Sequence, residues 1–296
     1  MRIFVTGGSG FIGKHVVREL LQGKQELLLL VREGKKNALP KNKKIKIISG
    51  DMGDISKWQN ELKKFKPEAA IHLAWEGIPD YGVEMSLHNL KNSLNLFQTL
   101  FESGCKTVVS AGSCWEYGAK EGKLSESAEI KAPNIFTASK ASLNMLGERM
   151  AKNYGANFIW TRLFYVYGPG QKGHSLIPFV LKNLRADVVP ALKDPFGQND
   201  FVYVGDVARA LAMLLKKGAS GVYNIGSGNL TSTKEIVKTL YKHYPQNNGY
   251  NIIYPKGKAV LSPSFYADIS RIKKEIGWKP SVDIWEGLEK TLNFYD

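Results

Sequence analysis

"VTGGSGFIGKH" at residues 5–15 sets Gly7, Gly10 and Gly13 at G-x-x-G-x-x-G spacing, between an apolar run and an amphipathic one. Each glycine answers a steric need. Gly7 permits a tight turn, Gly10 lets backbone approach a pyrophosphate, and Gly13 lets a helix pack closely on the preceding strand. The helix N-terminus, opening with Phe11 and Ile12, offers N–H donors and the positive end of a dipole to phosphate. The stretch predicts a strand–turn–helix unit that binds a dinucleotide. Gly8 to Lys14 also fits G-x-x-x-x-G-K, the phosphate loop of nucleoside triphosphatases. His15 stands where that loop needs Ser or Thr for magnesium, which removes the ATPase reading.

Outward from this turn, strands and helices alternate. Strands are predicted at 2–7, 26–31, 44–50, 69–75, 106–113 and 157–164, and helices at 10–22, 54–65, 85–103 and 134–152. Apolar strands separated by helices imply a parallel sheet covered on both faces, reached through right-handed crossovers. The fold class is α/β, a doubly wound parallel sheet (Rossmann) with a smaller mixed α/β C-terminal lobe. Beyond Gly168 the pattern loosens, with one clear helix at 206–217 and one strand at 221–227. The expected partition gives residues 1–167 and 200–226 to the dinucleotide-binding domain. Residues 168–199 and 227–296 form the substrate lobe.

The chain has 296 residues and is 43% hydrophobic, enough for a substantial core. No signal-peptide pattern opens it, and its longest apolar run, "LLLLV" at 27–31, is strand-sized. Cys105 and Cys114 give neither a disulfide framework nor metal-ligand spacing, so no metal is expected. A soluble cytoplasmic protein is expected, with no membrane partner. The net charge of +14 comes from lysines spread thinly along the chain. No helix carries one long basic stripe, so nucleic acid is not an expected partner. Such a field does attract small polyanions, nucleotides among them.

The second strand ends "LLLLVRE". A carboxylate at that strand end suits the ribose 2′-hydroxyl of NAD, whereas an arginine suits the 2′-phosphate of NADP. Arg32, with Lys35 and Lys36 nearby, argues for NADP, and Glu33 one residue later keeps NAD as the alternative.

At this point the sequence resembles the extended short-chain dehydrogenase/reductases, the group of nucleotide-sugar epimerases, dehydratases and reductases. The resemblance spans nearly the whole chain. It rests on "TGGSGFIG" (6–13), "GDMGD" (50–54), "HLAW" (72–75), "NLKNSLNLF" (89–97), "SAGSCWEYG" (110–118), "IFTASK" (135–140), "RLFYVYGPGQ" (162–171), "NDFVYVGDVARA" (199–210), "YNIGSG" (223–228) and "IGWKPS" (276–281), in that order. It implies that Asp51 and Met52 lie against the adenine and that Leu73 and Ala74 follow the inner ribose and phosphates. Asn89 would support the catalytic centre. Ser113 would face the substrate carbonyl. Lys140 would bind the nicotinamide ribose and lower the pKa of a tyrosine four residues earlier, since a nearby cation favours a phenolate. That position holds Phe136. One oxygen separates the two side chains, so fold and cofactor binding are expected to survive while proton donation suffers. His72, on an apolar strand, reads as a satisfied core histidine.

The same resemblance sorts the reactions. The 4,6-dehydratases carry Asp-Glu directly after the strand-end hydroxyl, where this chain has Cys114 and Trp115, with Glu116 displaced by one. Tyr165 replaces an asparagine common in epimerases, and Asn199 replaces an arginine that commonly holds substrate phosphate. With Arg32 pointing to NADPH, the expected activity is reduction of the C4 ketone of a nucleotide-diphospho-sugar, a 4-keto-6-deoxyhexose. Trp75 and Trp115 would wall the sugar pocket. An NAD-dependent 4-epimerase and a non-catalytic NADP-binding sensor or scaffold are the alternatives. The helices at 85–103 and 134–152 have apolar residues to spare, which suits a homodimer.

Overall fold

In a computed structural model, residues 1–35, 39–192, 194–244 and 263–295 are described. Lys36, one of the lysines cited beside Arg32, lies outside the described residues.

The first half runs Arg2–Thr6 (β1), Phe11–Leu21 (α1), Glu26–Val31 (β2), Ile45–Ser49 (β3), Ile55–Phe65 (α2), Ala69–His72 (β4), Val83–Glu102 (α3), Thr107–Ser113 (β5), Gly122–Leu124 (β6) and Ile135–Asn153 (α4). Then come Asn157–Leu163 (β7), Tyr165–Tyr167 (β8), Leu176–Arg185 (α5), Gln198–Asn199 (β9), Phe201–Tyr203 (β10) and Val204–Lys217 (α6). Gly221–Ile225 (β11), Thr231–Ser232 (β12), Thr233–Lys242 (α7), Phe265–Ala267 (β13), Ser270–Ile276 (α8) and Ile284–Tyr295 (α9) complete the order.

Seven strands form one sheet in the order β11-β7-β5-β4-β1-β2-β3, every neighbouring pair parallel. This is the doubly wound sheet that the apolar strands imply. Leu27 to Val31 are buried without interruption, as a strand covered on both faces must be. On one face Val16, Val17 and Leu20 of α1 pack with Val207, Leu211 and Leu214 of α6. On the other, Trp58 and Leu62 of α2 join Leu96, Phe97 and Leu100 of α3 and Leu143 of α4. The chain order reverses between β1 and β4. Their carboxyl ends therefore open the crevice where an α/β sheet takes its ligand.

Predicted and observed elements differ mainly at their ends. The fourth strand stops at His72 and not at Trp75. The Leu73 N–H still reaches Thr6 O at 3.2 Å, and then the chain leaves the sheet to border the crevice. Three small ladders, β8 with β10, β9 with β12 and β6 with β13, were outside the sequence reading. Two or three residues are too short for a periodic signal.

A third cluster joins Ile177, Val180 and Leu181 of α5, Ile236 and Leu240 of α7, and Leu288 and Leu292 of α9 to Tyr167 and Phe201. This is the core of the smaller mixed part. Ile272, Ile276 and Trp278, which the expected partition gives to that lobe, are buried instead with α6 and β11 of the main sheet. The Trp278 indole donates to Asp206 O at 3.1 Å. No helix among the described residues is long and apolar enough to cross a membrane.

Candidate active site

The turn between β1 and α1 is built from contacts that exclude a side chain. Gly7 has φ +72°, and a Cβ there would stand 2.7 Å from Ala74 N. A Cβ on Gly13 would fall on the carbonyl oxygen of Gly7. The Gly10 N–H donates to Gly7 O at 2.9 Å, and Gly10, lacking a side chain, leaves the first turn of α1 without a side-chain cap. Backbone donors at a bare helix N-terminus, beside a cradle that side chains would fill, suit a dinucleotide pyrophosphate. These residues fit a nicotinamide dinucleotide.

A cavity of about 430 Å³ continues from this turn. Gly7, Gly10, Phe11, Ile12, Gly13, Leu73, Trp75, Ser113, Trp115, Phe136, Lys140 and Tyr165 all line it. The fold thus brings together most of the residues singled out in the sequence, from α1, α4, β5 and β8 and the segments that follow β1, β4 and β5.

Phe136 opens α4 behind Asn134, whose side chain accepts from the Thr137 N–H while the Thr137 hydroxyl bonds back to Asn134. This capping box fixes the helix start and the direction of its first side chains. The Phe136 ring is buried in an aromatic wall, edge-on to Trp75 at 5.6 Å, Tyr81 at 4.9 Å and Trp115 at 6.3 Å between centroids.

Lys140 follows one turn later. Its ammonium donates to Ala111 O at 2.8 Å and lies 3.8 Å from the Trp75 ring centroid. Burial pulls its pKa down to about 7, opposed by the Glu116 carboxylate. The Trp75 indole N–H is buried with no partner among the described residues.

Ser113 ends β5 and caps the short turn Cys114–Tyr117. Its Oγ accepts from the Trp115 N–H at 3.2 Å, which leaves the hydroxyl proton free to donate. Its own N–H donates to Glu116 Oε1 at 2.8 Å. Glu116 is buried, paired with Arg162 at 3.1 Å and bonded to the Trp160 indole. It does not line the cavity. Among the described residues no aspartate or glutamate lines the cavity.

The remaining predicted residues stand elsewhere. Arg32 is exposed, just past β2, and Asp51 lies just past the adjacent β3, its carboxylate accepting from Gly53 N–H at 2.8 Å. Both are on the carboxyl edge of the sheet, beyond the cavity lining. Met52 is buried among α2 and α3 residues, and Ala74 packs against the same cluster. Asn89 does not reach the cavity. Its side chain accepts from Glu76 N–H at 2.7 Å and donates to Glu76 O and Met85 O, so it holds the loop after β4. Asn199 is not among the residues lining the cavity, and its backbone pairs with Thr231 in the β9–β12 ladder. His72 is buried between Thr6 and Ser93 hydroxyls, and burial, with Lys140 adding to it, pulls its pKa down to about 3.

Sequence reasoning missed Ile78, Tyr81, Gln171, Lys172, His174 and Ser175, which also line the cavity. They come from two loops without periodicity. Only Gln171 belonged to a quoted motif.

Known proteins share this fold. Residues 3–226 match the model of the NAD dependent epimerase/dehydratase family. The chain belongs to that family, and is an NAD(P)-dependent enzyme of the extended short-chain dehydrogenase/reductase type. It is 27% identical to an Arabidopsis thaliana trifunctional UDP-glucose 4,6-dehydratase/3,5-epimerase/UDP-4-keto-L-rhamnose-reductase, over 99% of this chain but only 46% of that protein. The chain thus spans about half the length of that relative. It is 24% identical to dTDP-4-dehydro-6-deoxyglucose reductase of Escherichia coli, over 98% of this chain and 96% of the other. Among solved structures, UDP-glucose 4-epimerase of Thermotoga maritima with UDP-glucose superposes with a TM-score of 0.89 at 25% identity, covering 100% and 98% of the two chains. DesIV of Streptomyces venezuelae, a dTDP-glucose 4,6-dehydratase with NAD bound, gives 0.87 at 26% identity, covering 100% and 97%.

Proposed function

We propose that the chain reduces the C4 ketone of a nucleotide-linked 4-keto-6-deoxyhexose with NADPH. The observation that carries this reading is a cavity whose described lining holds the Ser113, Tyr81 and Tyr165 hydroxyls and the Lys140 and Lys172 ammoniums but no carboxylate. Eliminating water across a sugar needs an acid and a base. Glu116, the carboxylate nearest in sequence to those positions, is consumed by Arg162, Trp160 and Ser113. Reducing a ketone asks only for a hydride, a donor to the carbonyl oxygen and a proton.

A bound nicotinamide dinucleotide supplies the hydride. The Ser113 hydroxyl donates to the carbonyl oxygen and stabilises charge developing there. Lys140 binds the nicotinamide ribose and adds positive potential beside the reacting atoms. The aromatic wall of Trp75, Tyr81, Trp115 and Phe136 excludes water and holds the sugar, which strengthens both interactions. Lys172 and His174, with the uncapped N-terminus of α5, suit the diphosphate at the far end of the cavity. Exposed Arg32 at the end of β2 favours the 2′-phosphate of NADP over the bare ribose.

NAD-bound and epimerase relatives favour a second reading, an NAD-dependent 4-epimerase. One experiment separates the two: a panel of 4-keto nucleotide sugars with NADPH and NADH, run on this chain and on Phe136→Tyr. The expected result is consumption of NADPH with one sugar, in preference to NADH. Epimerised sugar without net cofactor consumption would sink the reductase reading.

A homodimer belongs to the same proposal. Val83 and Leu87 on α3 and Met145 and Leu146 on α4 are exposed apolar residues, at 60%, 48%, 67% and 45% of their surface. Paired helices with such faces suit a two-fold four-helix contact. Sedimentation at micromolar concentration is expected to give twice the mass of 33.0 kDa; a single-chain mass would refute the pairing.

A further inference from the structure

We propose that Tyr81 supplies the proton that a phenylalanine at position 136 cannot, acting as general acid toward the substrate carbonyl oxygen. The proposal rests on the ketone-reduction reading above.

Tyr81 sits in the loop between β4 and α3, and the loop is held at both ends. Asn89 binds Glu76 through both its amide atoms. Asp80 N–H donates to Gly77 O at 2.7 Å, and Asp80 Oδ1 accepts from Gly82 N–H at 2.8 Å. From the opposite wall the Lys172 ammonium reaches Ile78 O at 3.4 Å. The Tyr81 ring therefore rests against Phe136, with centroids 4.9 Å apart, and against Trp115 at 5.7 Å. It lines the same cavity as Ser113 and Lys140. No hydrogen bond among the described residues uses its hydroxyl.

The competing donors already have partners or do not adjoin Phe136. The Tyr165 hydroxyl accepts from the Trp115 indole at 3.2 Å and keeps its own proton, but its ring packs on Phe201 and not on Phe136. The Tyr117 hydroxyl donates to Asn224 at 2.7 Å and is outside the cavity lining. The Lys140 ammonium is engaged by Ala111 O and the Trp75 ring face, and its remaining N–H is assigned above to the nicotinamide ribose. The Cys114 thiol is buried in a separate cluster with Tyr117, Leu124 and Phe164 and takes no part in the aromatic wall around Phe136. Tyr81 is the cavity-lining hydroxyl that adjoins Phe136. Burial also raises its phenol pKa, so the proton is held at neutral pH until the carbonyl oxygen becomes basic.

The step balances as follows. With hydride from a bound reduced nicotinamide dinucleotide, the carbonyl carbon would gain a C–H bond and the C=O π pair would move to oxygen. The Tyr81 O–H bond breaks and its proton joins that oxygen. Water reprotonates the phenolate. Lys140 and Lys172 are the lysines lining the cavity, and an ammonium brought near the transient phenolate would favour it.

Two measurements test this. In the first, protein carrying ¹³C at the tyrosine ζ carbon is titrated with and without oxidised cofactor, the Tyr81 signal being the one lost in Tyr81→Phe. The positive nicotinamide is expected to shift that signal and lower its titration midpoint. A Tyr81 signal that ignores the oxidised cofactor at every pH overturns the proposal, whatever the substrate is. In the second, Tyr81→Phe is expected to lower kcat by about 10²–10⁴-fold with little change in KM or in binding of reduced cofactor. Phe136→Tyr in that background is expected to restore most of the loss. Undiminished turnover in Tyr81→Phe also overturns it. A responsive Tyr81 signal in a protein that turns over no 4-keto sugar counts against the sugar reading and for Tyr81 at the nicotinamide.

Discussion

Lys140→Met is expected to lose the reaction and gain thermal stability in the same protein. The two effects have one cause. The ammonium is buried at the carboxyl end of the sheet, and burial pulls its pKa down from 10.5 to about 7. The bond to Ala111 O, the Trp75 ring and the Glu116 carboxylate do not repay the lost hydration in full. Between about pH 7 and 10.5 the folded chain binds fewer protons at this site than the unfolded one. Stability from this group therefore rises with pH across that window, and the penalty is complete below pH 7. Methionine fills much of the lysine volume without a charge. The melting temperature of Lys140→Met is expected to exceed that of the parent most at pH 6 and least near pH 10.5. Under the proposed role, reduced-cofactor affinity weakens and turnover falls by about 10²–10⁴-fold. Scanning calorimetry at the two pH values and a fluorescence titration read both effects. A lower melting temperature at pH 6 would show that the ammonium stabilises the fold on balance.

This opposition explains which parts of the molecule were legible from sequence. The glycine turn was, because Gly7 and Gly13 occupy places that backbone atoms close to any side chain. The sheet was, because strands buried on both faces leave unbroken apolar runs such as residues 27–31. Lys140 and Ser113 were found through short motifs whose spacing survives folding. Tyr81 was not, since its place depends on a loop tied down by Asn89, eight residues on, and by Lys172 from another wall. Asn199 stands outside the cavity lining for a reason of the same kind. Its neighbours in sequence resemble a phosphate-binding segment, but its backbone is committed to pairing with Thr231. Glu116 was seen only as a displaced base. Its partners Trp160 and Arg162 lie 44 and 46 residues away, on the parallel strand beside it. No local pattern carries that pairing.

Arg162→Leu is expected to cost about 3–5 kcal/mol of stability, the price of leaving a buried carboxylate without its cation. Glu116 and Arg162 are 1% and 4% exposed, so water cannot replace either partner. The guanidinium also holds the Tyr117 hydroxyl at 3.0 Å and Glu126 O at 3.1 Å, and it stacks 4.6 Å from the Tyr117 ring centroid. Burial already raises the Glu116 pKa, with Arg162 the first of the groups opposing it. Removing Arg162 raises it further. A carboxyl with a raised folded pKa contributes stability at low pH and loses it as pH climbs through that pKa. Arg162→Leu is therefore expected to be least destabilised in acid and most destabilised at neutral pH. Adding Glu116→Gln should recover part of the loss at neutral pH, because the amide oxygen still accepts from Ser113 N–H without a charge to neutralise. Urea unfolding of the two single variants and the double variant measures this, with a coupling of about 0.5–3 kcal/mol expected. Costs that simply add would refute the pairing. Glu116→Leu, which removes the acceptor as well, is expected to release the Ser113 N–H and lower kcat more than Glu116→Gln does. Ser113 then owes its position to a carboxylate outside the cavity lining.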